Sequence, residues 1–314
     1  MLVISVIIPT YKRTNDLHRC LQAILNQSRM PDEVIVIARD SDEATLSLLS
    51  REYAGHDWIT VIRTAVPGVV AALNAGLEAA RGDLIAITDD DTAPQCSWLR
   101  NIEEHFRNDP ELGGVGGRDW VHHHGRMETG SKRTVGKVQW FGRVIGNHHL
   151  GIGEAREVDV LKGANMSYRR SAIGSIRFET CLKGSGAQVY NDMDFSMAVK
   201  KAGWKLLYDP RVAVNHYPAP RFDEDQRNTF NTVAFFNMVH NETYVLLRNL
   251  GTLKRIFYLI WAVAVGSTSS PGFFQWLRLL PASGHTANRK WLISMRGRVE
   301  GIRTWRTLSK GESR

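Results

Sequence analysis

The stretch Gly68–Pro94, GVVAALNAGLEAARGDLIAITDDDTAP, passes from a helical pattern to a strand and ends on three consecutive acids. Val69 to Ala80 reads as a helix, and Asp83 to Ile87 as a short apolar strand closed by Asp89, Asp90, Asp91 and Pro94. The same alternation recurs toward the start of the chain. Val3 to Ile8 is a β-branched run ending at Pro9, and Asp16 to Gln27 sets Leu17, Cys20, Leu21, Ile24 and Leu25 on one helical face. Glu33 to Ile37 is a second strand, a helix from Asp42 carries Leu46, Leu48 and Leu49, and Trp58 to Arg63 is a third strand. Repeated β-α-β units with short connections imply right-handed crossovers and a mostly parallel α/β sheet with helices on both faces. Ligands of such sheets lie beyond the carboxyl ends of the strands. Thr10 and Tyr11, Arg39 to Asp42, and Asp89 to Asp91 therefore stand where chemistry is expected.

Toward the C-terminus the pattern weakens. Gly113 to Gly186 is rich in Gly and His, with a strand or two expected around Val158 to Tyr168. Asn191 to Gly203 reads as a helix with Phe195, Ala198, Val199 and Ala202 inward, followed by a strand at Lys205 to Tyr208 and a short one near Val212. The expected organisation is a β-α-β half over 1–112, a second half of the same domain over 113–225, and a helical, basic region over 226–314. No repeat, low-complexity tract or heptad pattern stands out.

The formal charge of +8 is not spread along the 314 residues. From Gly251 to Arg314 there are 11 Lys and Arg against 2 acids, which leaves residues 1–250 close to neutral, so a nucleic-acid partner is not expected. The basic tail also holds the apolar runs Ile256 to Gly266 and Gly272 to Leu280, too short for the roughly 20 residues of a spanning helix but suited to a membrane surface. Three scattered cysteines, Cys20, Cys96 and Cys181, with no C-x-x-C pair indicate a reducing setting, and the first residues lack the pattern of an export signal. The expectation is a cytoplasmic protein, peripheral on the inner face of the membrane.

Adjacent carboxylates at a strand end repel one another, and a hard divalent cation, Mg²⁺ or Mn²⁺, relieves this while leaving coordination positions for phosphate oxygens. ITDDDTAP (Ile87 to Pro94) therefore points to a diphosphate substrate. A second acidic segment, NDMDFSMAVKKAG (Asn191 to Gly203), places Asp192 and Asp194 at the start of a helix, where the dipole favours carboxylate.

Taken together, five blocks resemble glycosyltransferase family 2. They are Ser5 to Arg13 (SVIIPTYKR), Glu33 to Thr45, Gly68 to Pro94, Leu161 to Arg170 (LKGANMSYRR) and Asn191 to Pro218, in the family's order over about residues 3–220. The resemblance implies a GT-A fold and an inverting transfer of a sugar from a nucleotide diphosphate donor, most simply a UDP-sugar, to an acceptor hydroxyl of a glycan or lipid-linked chain. It implies that Pro9, Thr10, Tyr11 and Arg13, with Asn74, Asp89 and Asp90, serve the donor. It places Asp91 first, then Asp89 and His216, as ligands of Mn²⁺ or Mg²⁺. Gly163, Ala164, Asn165 and Met166 match the segment lining donor sugar and acceptor, and Asp192 falls on the catalytic base.

Two departures stand out. Where relatives carry adjacent acids after the second strand this chain has Ala38 and Arg39, which makes Asp40 the substitute for holding the base. Asn191 replaces the first acid of the Glu-Asp pair, so the base role rests on Asp192, with Asp194 second. Other readings are weaker. A zinc site at His122 to His124 and His148 to His149 is disfavoured because consecutive histidines diverge. These histidines, with Trp120, Trp140 and Phe141, fit an acceptor-side loop better. GGVGG at Gly113 to Gly117 lacks dinucleotide spacing. A nucleotidyltransferase would carry a glycine-rich loop where PTYKR stands, and a noncatalytic binder is argued against by the retained Asp91 and Asp192.

Overall fold

A computed structural model describes residues 2–123, 125–226 and 229–311. The alternating first third forms β1 (Ile4–Thr10), α1 (Thr14–Leu25), β2 (Glu33–Arg39), α2 (Glu43–Glu52), β3 (Ile59–Thr64), α3 (Val69–Ala79), β4 (Leu84–Thr88), a short β5 (Thr92–Pro94) and α4 (Trp98–Asn108). The expected elements are all present, with ends within a few residues of the sequence reading. A long strand β6 (Leu112–His123) is followed by the short β7 (Arg126–Met127), β8 (Lys137–Val138), β9 (Val144–Ile145) and β10 (Arg156–Glu157). Then come β11 (Asn165–Arg169), the one-turn α5 (Arg170–Ile173), α6 (Asn191–Lys201), β12 (Lys205–His216) and three helices, α7 (Thr232–Asn249), α8 (Thr252–Ala264) and α9 (Phe273–Gly311).

The main sheet runs β10-β12-β6-β11-β4-β1-β2-β3, with β5 paired to β12 and β7 to β6. β4, β1, β2 and β3 are mutually parallel, β11 lies antiparallel between β4 and β6, and β12 is parallel to β6. Every residue of β1 and β4 is buried, as central strands covered on both faces require. Val6 and Ile8 enter one layer with Leu17, Leu21 and Ile102, while Ile7 enters the other with Leu73, Leu77 and Phe195. This is the period of two that sends successive side chains to opposite faces.

Two sequence expectations change, and one unassigned segment finds its place. The glycine-rich Gly113 to Gly117, given no element from the sequence, is the interior of β6, because neighbouring strands approach too closely for side chains. A Cβ on Gly117 would stand 1.8 Å from the Val212 carbonyl oxygen, and one on Gly113 would stand 2.4 Å from Trp204 Cβ. The expected pair of strands at Lys205 to Tyr208 and Val212 is one strand, β12, whose register on β6 shifts between Asp209 and Val214. Ala202, expected inward, is exposed beyond the end of α6.

Two compact units emerge from the contacts: one of Met1–Lys137, Ile145–Thr180 and Phe195–Pro220, the other of Val138–Val144, Cys181–Asp194 and Arg221–Arg314. In the second, α9 lies close on α7. A Cβ on Gly301 would stand 2.7 Å from the His240 carbonyl oxygen, and one on Gly297 would stand 2.9 Å from Val239 Cβ. Buried Glu242 accepts from Ser270 Oγ at 2.8 Å, and Arg298 donates to the Ser270 carbonyl at 2.8 Å. α9 breaks at Gly284, whose φ is 39°. Among the described residues no helix is long and apolar enough to cross a membrane.

The β12 bulge is held by Asp209, which is buried. His105 Nε2 lies 2.7 Å from its Oδ2, and Arg211 donates from backbone N to Oδ1 and from Nε to Oδ2, both at 2.9 Å. Burial alone would raise this carboxyl, but the bonds from His105 and Arg211 outweigh it and hold it well below the usual carboxylate range. A depressed carboxylate contributes stability above its unfolded value of about 3.9, and that stability is lost as pH falls toward the folded value. Asp209→Asn should therefore cost about 1–3 kcal/mol at neutral pH in urea unfolding. It should also lose less further stability than the wild type as pH is lowered below about 4.

Candidate active site

The acids Asp89 to Asp91 leave the end of β4 at the centre of the sheet. Asp90 and Asp91 are 2% and 1% exposed, so two neighbouring carboxylates are withdrawn from water while Asp89 is half-buried. Burial of this kind demands fixed partners. Arg13, in the turn after β1, donates from Nη1 to Asp90 Oδ1 at 2.8 Å and lies 3.7 Å from Asp91 Oδ2. The same guanidinium is anchored by donating to the Pro220 carbonyl from Nε at 3.1 Å and Nη2 at 2.9 Å. The β1–β4 pairing explains the meeting, since Ile7 sits opposite Ile87 and both strands end at the same edge.

His216 comes from the other direction. β12 runs antiparallel to β5 with His216 opposite Thr92, one residue past Asp91, and Tyr217 N donates to the Asp91 carbonyl at 2.8 Å. The imidazole spans two carboxylates, with Nε2 3.3 Å from Asp91 Oδ1 and Nδ1 3.5 Å from Asp119 Oδ2. Ala219 N donates to Asp91 Oδ2 at 3.0 Å, and Lys162 Nζ donates to Asp119 Oδ2. Burial would lower the His216 pKa, but the bonds to Asp119 and Asp91 raise it to about 9. Asp91 is held well below the usual range because His216, Ala219 N and Arg13 outweigh its burial, whereas burial pushes Asp90 upward against the pull of Arg13.

The sequence profile described as Glycosyltransferase like family 2 matches residues 3–233. The chain belongs to glycosyltransferase family 2. A relative from Haloferax volcanii, named glucosyl-dolichyl phosphate glucuronosyltransferase, is 22% identical over 224 residues, covering 68% of each chain. Several longer relatives are matched over less than half of their length. Among solved structures, Staphylococcus aureus TarS 1-349 with UDP-GlcNAc superposes with a TM-score of 0.63 at 16% identity over 96% of this chain and 82% of that one. The mannosyltransferase PcManGT of Pyrobaculum calidifontis with GDP-Man and Mn²⁺ gives 0.57 at 16% identity over 98% and 83%. The protein is thus a glycosyltransferase with the GT-A fold.

Within this family frame the remaining expected site residues separate. Pro9 and Thr10 are buried at the end of β1, Tyr11 is half-buried, and the Arg39 guanidinium lies 5.4 Å from the Tyr11 ring centroid. Asp40 is exposed. Asp42 is the buried N-cap of α2, accepting from Thr45 Oγ1 at 2.7 Å and from Lys12 N at 2.5 Å. Both border a cleft of about 500 Å³ lined by Lys12, Thr14, Ser41, Asp42, Glu43 and Ala44 or adjoin it in sequence. Asn74 exchanges two 2.9 Å bonds with the backbone of Phe178. Asn165 accepts from Trp98 Nε1 at 2.8 Å and donates to the Val212 carbonyl at 2.7 Å. Met166 is wholly buried, and the Ala164 carbonyl accepts from Thr88 Oγ1 at 2.8 Å.

In the second unit, Asp192 and Asp194 open α6 and differ sharply. Asp194 is buried, bound to Arg248 Nη1 at 2.7 Å and Asn249 Nδ2 at 2.7 Å. Asp192 is half-buried, its Oδ1 accepting from Met193 N at 2.8 Å. Asn191 donates to the Gln188 carbonyl at 3.0 Å. Gln188 and Tyr190 hold φ of 39° and 73°, a sparsely populated region that marks a constrained turn just before these acids.

Sequence reasoning missed Asp119 and Lys162. The only signal for Asp119 was an acid two residues after the glycine run, which has no meaning until β6 is known to border β12. Of the clustered histidines, His122 stacks on Tyr217 at 4.7 Å, His148 Nε2 meets the Val160 carbonyl at 2.9 Å, His149 Nε2 and His123 Nε2 lie 3.4 and 3.9 Å from the Glu128 carboxylate, and His124 lies outside the described residues. Trp120 carries the Arg118 guanidinium 3.6 Å over its ring.

Among the described residues no three His, Cys, Asp or Glu side chains converge to hold a metal ion by themselves. Mg²⁺ and Mn²⁺ sites that hold phosphates need only one or two carboxylates, with substrate oxygens and water completing the shell. The cluster fits that demand: its donors are hard oxygens, and buried Asp90 Oδ2 and Asp119 Oδ1 have no hydrogen-bond partner among the described residues. Removing the internal cation should expose the cost of the cluster. Arg13→Met is expected to lower stability by about 3–5 kcal/mol, read from urea unfolding at neutral pH.

Proposed function

We propose that this glycosyltransferase transfers a sugar with inversion from a nucleoside diphosphate donor, a UDP-sugar first, to an acceptor hydroxyl in polysaccharide or lipid-linked glycan synthesis at the inner face of the cell membrane. The observation that carries the reading is the buried Asp90–Asp91 pair set between Arg13 and His216 at the end of β4. A preorganised set of charges at that edge suits a diphosphate and its counter-ion better than a neutral ligand.

Asp91 with Asp89, and His216 when deprotonated, would hold Mn²⁺ or Mg²⁺, which supplies neutralisation of charge on the departing diphosphate. The Mn²⁺ and nucleotide sugars in the related structures support a metal and a donor of this class. Tyr11, Thr10 and Asp40 serve the base and ribose, with Arg39 closing on the Tyr11 ring. Arg13 holds Asp90 and Asp91 in place and helps keep Asp91 ionised. The segment Gly163 to Met166, its side chains largely committed to packing, offers backbone groups to the sugar.

Asp192 is the base. It carries the family position, and its neighbour Asp194 is consumed by Arg248 and Asn249. Its carboxylate takes the acceptor proton as that oxygen attacks the anomeric carbon opposite the leaving nucleoside diphosphate. Asn191 cannot take a proton, and its bonds to the preceding turn orient the first turn of α6.

A thermal-shift screen of UDP-, GDP- and dTDP-sugars with and without Mn²⁺ reads donor class, since a ligand of the folded state raises the apparent melting temperature. One nucleotide should stabilise the protein in a metal-dependent manner, and Asp91→Ala should abolish the shift. Asp192→Asn should keep that shift while losing about 10²- to 10⁴-fold in turnover. Full activity in Asp192→Asn would contradict the base assignment.

A further inference from the structure

α8 has one face in the protein and one in solvent. Tyr258 and Ala262 are fully buried, with the Tyr258 hydroxyl 3.3 Å from Thr243 Oγ1. Leu253, Ile256, Phe257, Ile260 and Val263 are between 39% and 68% exposed. Their spacing of three and four residues makes one continuous stripe rather than scattered apolar residues. Trp140, 60% exposed, widens the stripe by packing its ring 5.0 Å from Phe257.

A tight turn extends the surface into α9. Gly266 has φ 69°, Gly272 N donates to the Val265 carbonyl at 3.0 Å, and a Cβ on Gly272 would stand 2.6 Å from the Ala262 carbonyl oxygen. The first turns of α9 follow at once with Phe273, Phe274 and Leu277, each 45–60% exposed. Lys254 stands at the edge of the α8 stripe and Arg278 directly after Leu277, both exposed. The helix segments that carry the stripe, Thr252–Ala264 and the first turns of α9 to Leu280, hold Lys254, Arg255 and Arg278 and no acid.

We propose that this face of α8 and the start of α9 lies in the headgroup region of an anionic lipid bilayer. The inference deepens the membrane placement given above and is independent of the donor's identity. Large apolar side chains insert at the boundary of headgroup and acyl chains, while Lys and Arg at the rim reach outward to lipid phosphates. Charge decides against a second copy of the chain, because a symmetric contact would set two basic rims against each other. An anionic surface complements them.

Flotation with vesicles of phosphatidylcholine alone, or with about one third phosphatidylglycerol, tests the assignment with the full chain. The wild type should float with the anionic vesicles and bind neutral ones far more weakly. Raising salt to about 1 M, where the Debye length falls to about 3 Å, should reduce anionic binding. Ile256→Asp with Ile260→Asp should cut the bound fraction about tenfold or more while the donor-dependent thermal shift is retained. Lys254→Gln with Arg278→Gln changes only exposed side chains and should weaken binding to anionic vesicles alone, which keeps the test open if the aspartate pair fails to fold. No flotation of the wild type, or undiminished flotation of a folded variant, would overturn the proposal. So would a wild-type dimer in sedimentation velocity that becomes monomeric in the aspartate variant without any vesicle binding.

Discussion

Two carboxylates buried side by side at the end of β4 constrain everything around them. Asp90 and Asp91 are almost wholly withdrawn from solvent, so each must meet a cation or an N–H within the protein. The chain supplies them from three remote places: Arg13 after β1, His216 at the end of β12, and the Ala219 amide beyond it. The sheet order that sets β4 beside β1, and the β5–β12 pairing that brings His216 past Asp91, are the means by which these groups arrive. Asp119 extends the chain of charges through His216 to Lys162, so acids and bases alternate across the carboxyl edge of the sheet.

The proposed function gives that alternation a chemical use. A rigid set of charges need not reorganise when a diphosphate gathers negative charge, which is how preorganised sites lower barriers. The acids of α6 show the same division of labour: Asp194 is fixed by Arg248 and Asn249, while Asp192 stays half-buried at a constrained turn. On the proposed assignment, structural and chemical duties fall on different carboxylates two residues apart.

The sequence made the β-α-β third legible because its strands alternate or run apolar and its helices keep a clean apolar face, as in α1 with Leu17, Cys20, Leu21 and Ile24. The acids after β4 were equally visible, since three in a row at a strand end need a cation. The centre of the sheet was not. β6 is built on glycine because Val212 and Trp204 crowd it, and a strand without side chains leaves no period to read. Asp119 was hidden for the same reason, and Lys162 took on meaning only once Asp119 was placed beside it. β12 was read as two strands because its bulge, pinned by Asp209, interrupts the alternation. Asn165 and Met166 carried a family position but not their burial, which depends on β11 lying between β4 and β6.

The central proposal is that the acidic cluster at the end of β4 is a site for a metal-bound diphosphate. Electron paramagnetic resonance of free Mn²⁺ reads this directly: the aqueous signal should fall when protein and the matching nucleoside diphosphate are both present, fall less with either alone, and recover in Asp91→Asn. A signal that stays at full strength with every nucleotide, or that Asp91→Asn quenches as well as the wild type does, would contradict it.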